Sequence, residues 1–336
     1  MLTAIAAIFV FLMVILFHEF GHFAVAKLVG IKVNEFSIGM GPKIFQKKKG
    51  ETKYSIRALP IGGYVSMEGE DENSDDPRSF NRVPALSRIA VIAAGAIMNF
   101  VLAIIVFSIF SFNVGMPTTT ISEIQKNSPA EKVGIKSGDT ILSINDKETK
   151  NWDSLAKNIS ESGSKEIKVT ILRGEEKKDY LVKPEINEEN KAIIGIVPAY
   201  EKSFVSSIKG GFQKTGFVLK MMFDFVKMVF RGKISTKDLS GPVGVIYTIG
   251  EVAKYGIINL LYLMGFISVN LGFFNLLPLP ALDGSKIVFL LVEIIRGKPM
   301  NPEKEGFIHL VGFVLLIALM LVVTYSDIIR FNLFRR

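Results

Sequence analysis

The chain contains three histidines, and two of them, His18 and His22, stand four residues apart in the stretch ILFHEFGHFAVAKL. On a helix that spacing puts both imidazoles on one face, where two ring nitrogens can reach a single zinc ion. Glu19 completes the pattern H-E-x-x-H and stands where a general base for zinc-activated water is needed. All three residues close an otherwise apolar run, LTAIAAIFVFLMVILF. Ionisable groups at membrane depth are costly when they lack partners, so their presence there points to function rather than chance.

A catalytic zinc has three protein ligands and an open position. Two residues compete for the third place. His309 lies three residues into the last apolar run, where a lone histidine is more often a polar anchor than a ligand. Asp283 follows a proline break in NLLPLPALDG, and zinc would neutralise a carboxylate that is otherwise hard to place in an apolar segment. On the residues alone Asp283 is the better choice. A helix-end cap or an ion pair with Lys286 is its bland alternative.

The elements that must position these groups follow from hydropathy. The chain has 336 residues, of which 49% are hydrophobic and 21% charged. That is too apolar for an ordinary soluble protein and too charged for membrane spans alone. Its net charge of +8 is dispersed, which suits a membrane surface better than nucleic acid. The run Lys47 to Lys49 suits anionic lipid in particular. The absence of cysteine excludes disulfide scaffolds, thiolate zinc sites and cysteine nucleophiles. No Lys or Arg precedes the first apolar run, so it reads as a retained transmembrane helix and not a secretory signal.

Four apolar runs have membrane-spanning length, at about 3 to 27, 89 to 112, from Ile257 through LLYLMGFISVNLGFFNLL, and 307 to 323. Prolines break the backbone after the third. Broken backbone at membrane depth must be buried in protein or line a wet cavity, which keeps Asp283 off the lipid. Between the first two runs, KYSIRALPIGGYVSME predicts a hairpin or small sheet, followed by an acidic loop. From Pro117 to about Tyr200 short alternating segments (TTTISEI, DTILSIND, EIKVTILRG, KDYLVKP) and one helix, NWDSLAKNISES, predict a compact mixed domain. Residues 204 to 230 mix apolar residues with four lysines and one aspartate, favouring an interfacial amphipathic helix over a fifth tilted span.

Taken together, these motifs resemble the site-2 proteases, a family of intramembrane zinc metalloproteases, and within it the bacterial regulator-of-sigma-E type. HEFGH is similar to the family's zinc motif, and NLLPLPALDG to its N-x-x-P-x-P-x-L-D-G, which assigns Asp283 as third ligand. GAIMN resembles its G-x-x-x-N motif, giving Gly95 and Asn99. PIGGYVSMEGE resembles the hairpin tucked beside the active site, and LSGPVGV, 239 to 245, a segment before the third span. The resemblance implies a polytopic α-helical membrane protein of about four transmembrane helices, with a membrane-associated β-hairpin and an inserted mixed α/β PDZ-like domain. The expected division is 1–112 and 251–336 for the membrane core, 113–200 for a single PDZ domain and 201–250 for the amphipathic helix and linker. Proteobacterial members often carry two PDZ domains; this chain has room for one and in that respect resembles the shorter bacterial members.

The resemblance further implies zinc-dependent cleavage of transmembrane protein or peptide substrates, with anti-sigma factors and signal-peptide remnants as examples. Glu19 would be the base and His18, His22 and Asp283 the ligands. Candidate substrate-binding residues are Asn275, Pro278, Asn99, Gly62, Gly63 and Tyr64. Gly62, Gly63 and Tyr64 would pair with an unwound substrate by strand addition. Asn275 would bond that strand or the developing oxyanion, and Asn99 would hold the second span against the first; helix packing alone is the alternative for both asparagines. Expected partners are the substrate, the lipid bilayer and a peptide ligand of the PDZ domain. The basic loops after spans one and three place the active site on the cytoplasmic side of a bacterial cell membrane and the PDZ domain outside. The basic C-terminus RFNLFRR is discordant with that orientation. A membrane metal transporter and a non-catalytic PDZ-bearing scaffold are the rival readings. The transporter would need more polar residues along its spans than the second one has, and the scaffold has no use for Glu19.

Overall fold

The computed structural model describes residues 1–70, 74–233 and 239–331, without the side chains of Ile61 and Pro302. Most of RFNLFRR therefore lies outside the described residues. Two units separate by their internal contacts, one made of 1–110 with 208–336 and the other of 111–207.

The first unit opens with α1 (Leu2–Leu28), followed by the strands β1 (Val33–Lys49) and β2 (Thr52–Met67) and the helix α2 (Ala85–Val114). The expected hairpin is more elaborate than a simple pair. Phe36 pairs with both Tyr54 and Val65, while Tyr54 also pairs with Lys47. The two long strands thus bend and lie as four adjacent segments, 43–49, 52–56, 33–38 and 63–67. Arg57 pins the bend: it donates to Ser37 Oγ at 3.0 Å, to the Gly41 carbonyl at 2.8 Å and to Glu35 Oε1 at 2.9 Å, and it also contacts the Tyr64 hydroxyl.

The second unit holds β3 (Met116–Ile124), α3 (Pro129–Lys132), β4 (Thr140–Ile144), β5 (Lys147–Glu148) and α4 (Trp152–Glu161). It continues with β6 (Ile167–Arg173), β7 (Glu176–Val182), β8 (Glu185–Ile186), β9 (Ala192–Ile193) and β10 (Ile196–Glu201). Its main sheet runs β10-β3-β4-β6-β7, with β5 beside β4. Each alternating segment singled out in the sequence lies in or overlaps one of these strands. Alternation puts Ile167, Val169 and Ile171 into one core with Leu155 and Ile159 of α4, and a register irregularity after Ile141 lets both Ile141 and Ile144 of β4 join them. Asn151 caps α4 with a reciprocal capping box.

One buried ion pair locks this sheet. Asp139, 1% exposed, accepts from Arg173 Nε at 2.7 Å, from Arg173 Nη2 at 2.8 Å and from the Lys136 N–H at 2.7 Å. Burial alone would raise the Asp139 pKa, but these donors outweigh it and hold the carboxyl below its usual range. A depressed folded-state pKa stabilises the fold above the unfolded value, about 3.9, and that contribution fades as pH falls through the folded one. The chain's single tryptophan, Trp152, packs on this core, so its fluorescence reports the unit alone. Asp139→Asn is expected to lower the denaturant midpoint read by Trp152 at pH 7, by about 1.5–3 kcal/mol of stability. The gap from wild type should start to narrow below about pH 4, where the aspartate of the unfolded chain takes up its proton, and close only once pH falls below the depressed pKa of the folded one; a pH-independent gap would contradict this account.

The chain returns to the first unit through α5 (Phe204–Phe230), α6 (Pro242–Ala253), α7 (Ile257–Asn275), α8 (Asp283–Arg296) and α9 (Pro302–Arg330). Among the described residues four helices, α1, α2, α7 and α9, are long and apolar enough to cross a membrane. Helix α5 is not one of them. It meets α2 and α7 along their length: Gly211 lies against Ile104 and Ser108, Val218 clusters with Ala103, Phe107 and Val269, and the Phe223 and Phe273 rings are 5.0 Å apart. Part of its apolar surface therefore packs on protein here, while Phe212, Phe217 and Met221 stay exposed.

Helix α6 occupies much of what the sequence offered as linker. Its start is made by a residue 83 to 86 positions away: Asp327 of α9, 1% exposed, accepts from the Gly241 and Gly244 N–H groups at 2.8 Å each. A carboxylate there satisfies donors that a helix start leaves open. From α6, Ile249 joins Ala6, Val10 and Val14 of α1, Leu102 and Val106 of α2, and Leu260 and Met264 of α7 in one core.

Candidate metal centre

His18 and His22 sit on the buried side of α1, facing α2. The two helices approach closely there because the facing positions are glycines. A Cβ on Gly21 would overlap the Ala94 carbonyl, and one on Gly95 would overlap both histidine rings. Helices pack this tightly in membranes where residues are small. His22 Nδ1 donates to the Val91 carbonyl at 2.9 Å, which leaves its Nε2 lone pair free. His18 Nδ1 faces the Asn99 side-chain amide at 3.4 Å, and Asn99 Oδ1 is buried without a partner. A half-turn of that amide lets Oδ1 accept from His18 Nδ1–H and leaves the Nε2 of His18 free as well. Asn99 is itself held between α2 and α7, where Ser268 Oγ donates to its carbonyl at 2.8 Å.

Asp283 arrives from the other half of the unit. Helix α7 ends at Asn275 and α8 begins at Asp283, with the proline-containing turn between them. Both bland alternatives for this carboxylate fail: α8 has no side-chain cap, and Lys286 pairs with Glu70 at 2.9 Å. Asp283 Oδ2 instead lies 3.2 Å from His18 Nε2 and 3.5 Å from His22 Nε2, and the two Nε2 atoms are 3.2 Å apart. Asp283 Oδ2 is buried and makes no hydrogen bond.

These three atoms fit a zinc ion. Zinc–ligand distances of about 2.0–2.1 Å on a tetrahedron require ligand atoms about 3.3–3.4 Å apart, close to the observed 3.2, 3.2 and 3.5 Å. Three lone-pair-bearing atoms at such separations repel one another unless a cation stands between them. Among the described residues this is the one group of three His, Cys, Asp or Glu side chains placed to hold a metal.

The other candidates divide. Glu19 is half-buried on α1, with its Cγ 3.4 Å from where a Cβ on Gly63 would stand, so the 63–67 segment runs beside it. Gly62 has φ +91°, a left-handed turn that fits glycine, and Tyr64 follows in the same segment. Asn275 Nδ2 is 3.4 Å from His18 Nε2, within the site. Pro278 is exposed in the turn, with no contact to the histidines described. His309 stands apart from the three ligand candidates and accepts at Nδ1 from the Ala281 N–H at 3.0 Å. Sequence reasoning missed the Val91 carbonyl, since a backbone acceptor carries no side-chain signal, and the His309–Ala281 contact, since nothing local to either residue announces it.

Comparison with known proteins agrees with this geometry. Residues 6–319 match the model of peptidase family M50. A Clostridium acetobutylicum protein provisionally named a zinc metalloprotease is 43% identical, over 97% of each chain. The regulator of sigma-W protease RasP of Bacillus subtilis is 34% identical over 98% of each chain, in an alignment of 415 positions that includes segments this chain lacks. The zinc metalloprotease RasP of Bacillus licheniformis is 33% identical, over 98% of this chain and 99% of its own. A crystal structure of a PDZ domain of an SdrC-like protein from Listeria monocytogenes matches 25% of this chain and 88% of its own, at 19% identity and a TM-score of 0.23.

Proposed function

The chain belongs to peptidase family M50 and is a zinc metalloprotease, and on that premise we propose that it hydrolyses peptide bonds within the transmembrane segments of single-span proteins. The observation that carries this reading is the near-equilateral triangle of His18 Nε2, His22 Nε2 and Asp283 Oδ2, set among spanning helices. His18, His22 and Asp283 would hold the zinc. When bound, zinc supplies Lewis-acid activation of the attacking water and of the scissile carbonyl.

The remaining steps belong to the protein. Glu19 accepts the proton of the attacking water and delivers it to the leaving amine nitrogen. A substrate helix hides its carbonyls in its own hydrogen bonds and must be extended first. The 63–67 segment pairs with β1 on one side only among the described residues and passes Glu19, so an extended substrate can add to its free edge. Asn275 points an amide into the site and is suited to donate to the developing oxyanion. Asn99 orients His18.

The basic loops following α1 and α8 support a metal centre that faces the cytoplasm and an extracytoplasmic inserted unit. That unit, read as a PDZ domain, has a cleft of about 210 Å³ beside α4, lined by Trp152, Leu155, Ile159, Ile194 and Ile196, which suits an apolar peptide end. An anti-sigma factor is one substrate class that the resemblance to regulator-of-sigma-type proteases implies, and the Bacillus subtilis relative is itself named a regulator of sigma-W protease.

The test is co-reconstitution of the protein with a single-span substrate in lipid vesicles and mass-spectrometric mapping of the new termini. Cuts inside the apolar segment are expected. Intact substrate accompanied by zinc flux across the vesicle wall would establish the transporter reading, and cuts confined to the juxtamembrane chain would end the intramembrane one.

A further inference from the structure

The turn that delivers Asp283 is not self-supporting. Within 276–282, Leu279 N–H reaches the Leu277 carbonyl at 2.7 Å and Leu282 N–H the Leu279 carbonyl at 3.1 Å. Ala281, two residues before Asp283, has φ +72°, a left-handed conformation that a residue with a Cβ adopts only under constraint. Its N–H bonds to His309 Nδ1 on α9, at 3.0 Å.

The same helix face touches the turn again three residues on. Gly312 lies so close to Pro280 that a Cβ there would overlap its Cβ and carbonyl. The His309 ring is held in turn by Phe289 of α8, with ring centroids 5.5 Å apart and planes at 81°. Because Nδ1 accepts, the ring proton is on Nε2, which is buried without a hydrogen-bond partner; the nearest carboxylate oxygen, of Glu305, is 4.0 Å away. A buried orphan donor is tolerated only if the opposite nitrogen makes a bond of value.

We propose that His309 is a positioning residue for the metal centre: from α9 it latches Ala281 in its left-handed conformation and so aims Asp283 at His18 and His22. This rests on the reading of those three residues as zinc ligands. The latch accounts for a histidine inside an apolar helix that ligates nothing. It also joins α9, whose apolar stretch is mostly exposed, to the one ligand that α1 does not carry.

The test uses the full-length, zinc-loaded protein in detergent, titrated with a graded series of chelators while bound zinc is measured. His309→Ala is expected to release zinc at about ten- to hundredfold weaker chelation than wild type, the usual effect of removing an outer partner of a ligand. His309→Asn, which sets an amide oxygen where Nδ1 stood, should restore retention. Adding Ala281→Gly to His309→Ala should recover much of it too, since glycine takes the left-handed turn without a latch. Wild-type retention in His309→Ala, or equal losses in His309→Ala and His309→Asn, would overturn the latch while leaving the zinc site in place. His18→Ala separates the two levels: if it also retains zinc, the ligand assignment itself fails. Should His309→Ala not accumulate, Gly312→Ala presses on the same turn from α9, and unchanged zinc retention in that variant would overturn the proposal.

Discussion

Asp283→Asn is expected to cost more zinc affinity than the ten- to hundredfold typical of outer partners, and to abolish cleavage with it. The substitution keeps the shape of the side chain and removes its charge. In the native site Asp283 Oδ2 stands 3.2 and 3.5 Å from the two imidazole nitrogens and has no hydrogen bond to lose. Its one evident role is to face a cation. Asparagine offers a neutral oxygen, a much weaker ligand for zinc, and leaves two neutral imidazoles to bind a divalent ion alone. Zinc content and cleavage of a reconstituted single-span substrate are the two readouts. Normal zinc content in Asp283→Asn would move the third ligand elsewhere. His309 cannot then take its place, because its Nδ1 is engaged with Ala281.

Glu19→Gln should give the opposite pattern, with zinc retained and cleavage lost by a factor of about 10² to 10⁴, the range for a positioned general acid–base group. Glu19 is outside the ligand triangle, so zinc retention does not depend on its charge. The amide keeps the bulk that packs beside Gly63 but cannot accept a proton from water. Loss of zinc together with activity would make Glu19 a ligand and not a base. Equal cleavage by Glu19→Gln and wild type would remove the protease reading altogether. The two variants thus cross: one empties the site, the other leaves it loaded and idle.

Much of this was legible before any coordinates. The pairing of His18 with His22 follows from helical spacing, and a helix there follows from an apolar run of spanning length. The inserted unit was legible for the same reason, since period-two alternation in segments such as EIKVTILRG is what a half-buried strand requires. The bent four-segment sheet was legible only as a hairpin, because its second pairing, Phe36 with Val65, depends on a bend that Arg57 holds from a distance. Helix α6 was hidden in an expected linker, because the carboxylate that satisfies its first amides comes from Asp327.

Residue types and their spacing along the chain set which chemistry is available: two imidazoles and a carboxylate at fixed spacing, a broken apolar segment bearing Asp283, and spans to bury them. Those are local properties, set by residue type and periodicity along one stretch of chain. Long-range packing, by contrast, brings Asp283 to His18 across 265 positions and turns Lys286 to Glu70. It also sets His309 Nδ1 on the Ala281 N–H, apart from the three candidate ligands. Contacts of that kind depend on how closely helices can approach, and here Gly21, Gly95 and Gly312 set those approaches without any local sign of what they face.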